Sequence, residues 1–396
     1  MEEFPLTSSA FDSVHLNKKL QNQLLYELRR FIVPELCEND YKGCSGKICI
    51  VGGSEVYSGA PYFSAMSTLK LGADLCFIIT SKECSFTLKC YSPELIVYPY
   101  LYNNKSEIKN IQGSNFEKCV HYLLNRIHSC VIGPGLGTID NITKKCIEYL
   151  ISRFIQKNIF LIFDADAIQF LITNDDMLNR IKNYEQCMFT PNKNEFKKMI
   201  SFLTDNKNIT FDQLDCNKII LNAHKLMRIF NGPKILIKGL YDVYISKKFF
   251  FVSSINNPSL KRLAGLGDIL TGLLAVFHAW GFKKKNEISS TMKDSFNVDT
   301  ISDHNECVDA ISSFSASYFL KFLCKEGFRK HHRGQLNLLK KLCELCELCE
   351  NGEISSQGIK NRHIGGTSQV INQKVVVMGL KREGYEGEDR EESKRK

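Results

Sequence analysis

Gly265-Leu266-Gly267-Asp268 stands directly ahead of Ile269, Leu270, Leu273, Leu274, Phe277 and Trp280, apolar residues on a helical period. Two glycines before a helix let backbone amides converge on an anion, and the positive end of the helix dipole favours negative charge at the same point. A phosphate suits this turn. Asp268 is then either a cap or first-turn acid, worth about 0.5–2 kcal/mol as a cap, or a base beside a bound phosphate. Lys261 and Arg262 lie just upstream within Pro258 to Gly267, and Lys238-Gly239-Leu240-Tyr241-Asp242 closes the strand expected over Lys234 to Lys238. Ligands of open parallel sheets bind at such strand ends, although a solvated turn with ordinary surface lysines has the same sequence.

Two further polar clusters follow expected strands. In Thr190-Pro191-Asn192-Lys193-Asn194-Glu195-Phe196, Pro191 cannot extend a ladder and Asn192 or Asn194 can cap the next helix; the same residues could form the lip of a cleft. Gly133-Pro134-Gly135-Leu136-Gly137 and Asp164-Ala165-Asp166 are either tight turns and caps or a close backbone approach with acids for a metal or hydroxyl. Gly52-Gly53-Ser54 lacks the Gly-x-Gly-x-x-Gly spacing of a dinucleotide fingerprint, and the second strand ends in Thr80 rather than an acid. Hydride transfer is therefore discounted.

The elements that must position these residues are short apolar runs at Lys47–Val51, Leu75–Thr80, Glu94–Tyr98, Ser129–Ile132, Ile159–Phe163, Cys187–Thr190 and Lys234–Lys238, with helix-like segments between them. This alternation predicts a doubly wound α/β fold: a mostly parallel sheet with helices on both faces. Leu16, Leu20, Leu24, Leu28 and Phe31 predict an amphipathic helix within an N-terminal extension, residues 1–42. A main domain is expected over 43–330, with a polar surface insertion at 283–305 and a disordered or loosely docked tail over 331–396.

The 396-residue chain is 43% hydrophobic and 24% charged, which excludes wholesale disorder. No apolar run reaches the roughly 20 residues of a membrane span, so no membrane is expected. Its net charge of +9, from 52 basic and 43 acidic residues, is spread along the chain, which suits small anions better than nucleic acid. The 16 cysteines mostly sit in apolar runs and read as reduced core thiols. Glu2 and Glu3 near the start argue against a secretory signal, so a cytoplasmic place is expected; a mitochondrial one stays open, without a clear transit peptide.

Read in order, VGGSEVYSGAP at 51–61, SPELIVYP at 92–99, VIGPGLG at 131–137, FDAD at 163–166, TPNKNEF at 190–196, KGLYD at 238–242 and GLGDILTG at 265–272 resemble the ADP/ATP-dependent NAD(P)H-hydrate dehydratases of the ribokinase-like superfamily. The resemblance spans about Gly43 to Phe328 and implies a three-layer α/β/α fold. It implies ATP, or ADP, held by Lys238, Gly239, Leu240, Tyr241 and Asp242 and by Pro258, Ser259, Leu260, Lys261, Arg262, Leu263, Ala264, Gly265, Leu266 and Gly267, with Mg²⁺ at a site it does not assign. It implies hydrated cofactor, NADHX or NADPHX, against Gly137, Asn192, Lys193, Asn194, Glu195, Phe196, Lys197, Lys198 and Asp268, with Asp268 as the catalytic base. The hydrate epimerase is the implied functional partner, and a homo-oligomer is left open. Where the family often has paired glycines and a small polar residue before Gly-Asp, this chain has Ala264-Gly265-Leu266-Gly267, and its sequence leaves the family pattern after Gly327.

Three rivals remain at this stage: a ribokinase-like kinase of a vitamin precursor or sugar, a nucleotide-binding regulator without catalysis, and a zinc module on Cys343, Cys346 and Cys349. Zinc prefers four ligands, and these thiols share one helical stripe, so a packing face is the better reading of them.

Overall fold

Strands buried on both faces need apolar residues at every position, and β1 (Lys47–Val51) sends Ile48 and Ile50 into one core while Cys49 and Val51 enter the other. The computed structural model describes residues 32–34, 38–106, 110–204, 216–247, 250–253, 263–286 and 304–331. The expected helix over 16–31, residues Pro258 to Arg262 that the resemblance implies for ATP, most of the expected 283–305 insertion and the tail after 331, with its cysteine repeat, lie outside them.

The other strands are β2 (Leu75–Ile79), β3 (Ile96–Tyr98), β4 (Ser129–Ile132), β5 (Phe160–Phe163), β6 (Cys187–Phe189), β7 (Lys234–Ile237), β8 (Asp242–Ile245) and β9 (Phe250–Ser253). They form one sheet in the order β3-β2-β1-β4-β5-β6-β7-β8-β9. Pairing is parallel from β3 to β7 and antiparallel across β7, β8 and β9. The sequence reading contains no β8 or β9, so this antiparallel edge is a finding of the structure.

The helices are α1 (Gly59–Leu71), α2 (Lys82–Tyr91), α3 (Asn115–Leu123), α4 (Asn141–Gln156), α5 (Asp166–Ile172), α6 (Asp175–Ile181), α7 (Lys193–Leu203), α8 (Cys216–Phe230), α9 (Leu266–Lys283) and α10 (His304–His331). α1, α9 and α10 cover one face of the sheet, and α3 to α8 cover the other. The result is the expected three-layer sandwich. α9 is apolar all round and buried from Ile269 to Gly281, as a helix enclosed by neighbours must be. Its crossing with α1 requires Gly272, because a Cβ there would lie 2.0 Å from Ser67 Oγ and 2.2 Å from the Ser64 carbonyl oxygen. The cysteines whose side chains are described are free, and apart from Cys90 and Cys324 they are buried. No helix among the described residues is long and apolar enough to cross a membrane.

Candidate active site

The chain winds outward from β1 through β2 to β3 and then returns to β1's other side as β4, so the crevice at the carboxyl ends of β1 and β4 is a topological switch point. Glycines let its walls close up. The Gly53 N–H donates to the Pro134 carbonyl at 2.9 Å, and a Cβ on Gly52 would fall 2.1 Å from that oxygen. Gly137, at φ +67°, donates its N–H to Asp166 Oδ2 at 2.8 Å.

Asp164 directly follows β5 and is 1% exposed. Its Oδ1 accepts a hydrogen bond from Thr190 Oγ1 at 2.9 Å and an ion pair from Lys238 Nζ, so residues after β5, β6 and β7 meet at one carboxylate. The Lys238 N–H donates to the Pro191 carbonyl at 2.8 Å, and Lys238 bridges Asn192 in parallel register. Burial alone would lower the Lys238 pKa, but Asp164, Glu195 and Asp268 outweigh it and hold the ammonium above its ordinary value.

Asp268 reaches this cluster from the opposite layer. Gly265 caps α9 in the left-handed conformation, φ 85°, with no side-chain capping bond, and Asp268 sits in the helix's first turn. Gly265 holds the cap position and Asp268 is a first-turn acid, as one of the sequence readings has it, which leaves its carboxylate available for the other. A Cβ on Gly267 would lie 3.1 Å from Lys238 Nζ, so the glycine lets the lysine pass under the helix start. Burial first, and then the charge of Asp164, push the Asp268 carboxyl up from 3.8 to about 7, against the pull of Lys238. Burial also raises Asp166 and Glu195, with Asp164 adding to both, while the Gly137 N–H opposes the first and Lys238 the second. A carboxyl that titrates near neutrality at a helix N-terminus can accept a proton there.

A family described as NAD(P)H-hydrate dehydratase matches residues 48–313. The ATP-dependent (S)-NAD(P)H-hydrate dehydratase of Ciona intestinalis is 32% identical over 314 residues, which is 79% of this chain and 77% of that protein. The chain belongs to the NAD(P)H-hydrate dehydratase family. The ATP-dependent (S)-NAD(P)H-hydrate dehydratase of Entamoeba histolytica is 35% identical over 262 residues, covering 65% of this chain and 77% of that protein. Among solved structures, the ADP/ATP-dependent NAD(P)H-hydrate dehydratase from Bacillus subtilis, co-crystallised with ATP/Mg²⁺, superposes with a TM-score of 0.53 at 16% identity, over 81% of this chain and 95% of that one. A ribokinase-like superfamily protein from Enterococcus faecalis gives 0.57 at 18% identity, over 82% and 93%. At these identities the two show the shared fold.

Within this NAD(P)H-hydrate dehydratase fold the residues expected from sequence divide into groups. Lys238, Asn192, Glu195, Gly267 and Asp268 come together. Asn192 and Glu195 also form a reciprocal capping box at the start of α7, which is the capping reading of that motif. Phe196, at 1% exposure, packs its side chain in the core beneath α7. Lys193 is partly buried, while Asn194, Lys197 and Lys198 are exposed on the same helix. Asp242 is buried with its carboxylate engaged: Oδ1 accepts the Gly239 N–H at 2.9 Å and faces Lys321 Nζ at 3.0 Å, and Oδ2 accepts Ser317 Oγ at 2.5 Å. These contacts fasten the turn. Leu240 is partly buried and Tyr241 exposed in that turn. Leu263 and Leu266 pack against the core under α9, so the departure at Leu266 anchors the loop, whereas Ala264 is exposed.

Sequence reasoning offers Asp164 as an acid for a metal or hydroxyl and Thr190 as part of the lip, but misses that Thr190 and Lys238 meet at the Asp164 carboxylate. The signal for Asp164 is an acid at the buried end of a fully apolar strand, which needs a cation, with Lys238 at the end of a strand two places along the sheet. A surface groove lined by Tyr149, Arg153 and Arg180 shares no residue with this site.

Proposed function

We propose that the chain catalyses ATP-dependent dehydration of (6S)-NADHX and (6S)-NADPHX, restoring NADH and NADPH through a phosphorylated intermediate. One observation supports this reading: Asp268 lies in the first turn of a buried helix whose start passes over Lys238, and its carboxyl is pushed up to about 7. The hydroxyl of a hydrated nicotinamide ring is a poor leaving group. Asp268 accepts its proton as the oxygen attacks the γ-phosphorus and ADP departs. The helix dipole, the Gly265–Gly267 amides and the Lys238 ammonium stabilise charge on the transferred phosphoryl group. The ring nitrogen's lone pair then expels phosphate, and loss of a proton from the neighbouring ring carbon restores the double bond.

The hydrated ring is placed against the Gly133–Gly137 turn and the lip from Asn192 to Glu195, with the nucleotide along Lys238 to Asp242 and the residues up to Gly267. Three acids, Asp164, Glu195 and Asp268, act on one lysine here with Asp166 beside them, and burial raises Asp166, Glu195 and Asp268. A polyphosphate brought to this surplus of negative charge calls for a divalent cation. Among the described residues no group of three acidic, histidine or cysteine side chains converges on a metal position. Mg²⁺ would be borne on the phosphates with the partly buried carboxylates of Glu195 or Asp268 nearest to it, and it would supply charge neutralisation. An epimerase that converts the other hydrate epimer is the functional partner this reading implies. The main domain is assigned to 43–330, in cytoplasm or mitochondrion.

The test is repair of hydrated NADH with ATP or ADP as donor. Return of the reduced-nicotinamide absorbance with one phosphate released per cofactor is expected. A stable phosphorylated product would instead identify a kinase, and nucleotide binding without turnover a regulator.

A further inference from the structure

Beneath the candidate site, at the far ends of two of its elements, lies a buried polar cluster that the proposed chemistry does not use. Lys234 opens β7, His278 lies in the buried body of α9, and Asp309 is on α10. Asp309 is 0% exposed, with Oδ2 2.8 Å from Lys234 Nζ and Oδ1 3.1 Å from His278 Nε2. Lys234 also donates to the Glu185 carbonyl at 2.5 Å. The His278 ring stacks on Phe160 of β5 with centroids 3.4 Å apart and planes at 7°. Its Nδ1 is buried without a hydrogen-bond partner, and both Asp309 oxygens meet Lys234 and His278 at ion-pair distances rather than in well-aligned hydrogen bonds. Burial pushes the Asp309 carboxyl up, but Lys234 and His278 overcome this and hold it below its ordinary range.

A buried ion pair is a weak source of stability, since packed apolar residues often serve as well; its best-attested use is to fix register. The spacing here suits that use. Lys238 lies four residues beyond Lys234, roughly 13 Å along a strand. Asp268 lies ten residues before His278, roughly 15 Å along a helix. The two elements that bring Asp268 and Lys238 together at the top of the sheet are thus joined a second time at its bottom, through one aspartate on a third element.

We propose that Asp309 is a positioning residue: by holding Lys234 and His278 at once, it locks the axial register of α9 against β7 and so places Asp268 relative to Lys238. The claim rests on Asp268 as the base of the proposed reaction. A misplacement of about 1 Å at a reacting group can cost on the order of 100-fold in rate.

The test replaces the cluster by apolar groups of similar size, Lys234→Met with His278→Phe and Asp309→Leu, so that no buried ion is orphaned and the two lost charges cancel at a distance. Asp309→Asn is the second variant and decides the matter if the triple variant does not fold. The readout is the titration of the Asp268 carboxyl carbon by ¹³C NMR, assigned by its loss in Asp268→Asn. The groups facing it are Lys238 after β7, Asp164 after β5, Asp166 on α5 and Glu195 on α7. Weaker contact with Lys238 moves the midpoint upward by about half a unit, the change expected when a charge separation grows from about 4 to 5 Å at an effective dielectric of about 20. Turnover falls about tenfold or more while KM stays within about twofold, as for an interaction made in the transition state. A folded variant whose Asp268 titrates as in the wild type overturns the proposal. A wild-type protein without repair activity counts against the proposed function alone, because the titration still reports the register.

Discussion

Replacing Asp268 with Asn keeps the side chain's shape and removes its capacity to take a proton. A general base contributes on the order of 10²–10⁴-fold, so repair of hydrated NADH should fall at least about 100-fold. The wild-type rate should decline about tenfold per pH unit below about 7 and level off above it, because the base works only when ionised. Stability should change in the opposite sense. The folded carboxyl titrates about three units above its ordinary value. Linkage converts that to an outer bound of about 4 kcal/mol, reduced to about 1–2 kcal/mol because the side chain stays partly open to water. The sign follows from the raised pKa: the contribution is full below the unfolded value near 4 and is lost as pH rises through about 7. Urea unfolding at pH 8.5 should therefore find Asp268→Asn more stable than the wild type, with the advantage shrinking at pH 5.5. Unchanged turnover, or an equal stability gain at both pH values, would refute the reasoning.

Lys238→Met leaves the buried Asp164 carboxylate without its cation and should cost about 3 kcal/mol in urea unfolding; any remaining activity should show its acid limb above pH 7. Gly52→Ala drives a Cβ into the Pro134 carbonyl and should cost more than about 2 kcal/mol, seen as a lowered melting temperature. Asn192→Ala removes half of the α7 capping box and should cost about 1 kcal/mol in the same measurement. If the lip contacts substrate, its KM for the hydrated cofactor rises as well.

The parallel part of the sheet was legible because strands buried on both faces are unbroken apolar runs, so β1 and β4 fall on the residues expected of them. β8 and β9 were not, because Asp242 belongs to a motif that reads as a loop and the hairpin's alternation is short. At the site, Gly267 and Asp268 announce themselves by lying before an apolar helix. The partnership of Asp164 with Lys238 joins residues 74 apart, and only the order of strands in the sheet makes them neighbours. Within the motif at 190–196, Phe196 also serves the core: with Met199 and Ile200 it follows a helical period that points inward.

The way Asp242 is moored sets a minimum length for a working recombinant fragment. The family match stops at 313, yet Ser317 and Lys321, which grip that aspartate and, through Lys321, the Gly239 carbonyl at 3.0 Å, lie beyond it on α10. Expression trimmed to the matched segment would cast the turn from Gly239 to Asp242 adrift, and its loss of activity would say nothing about chemistry.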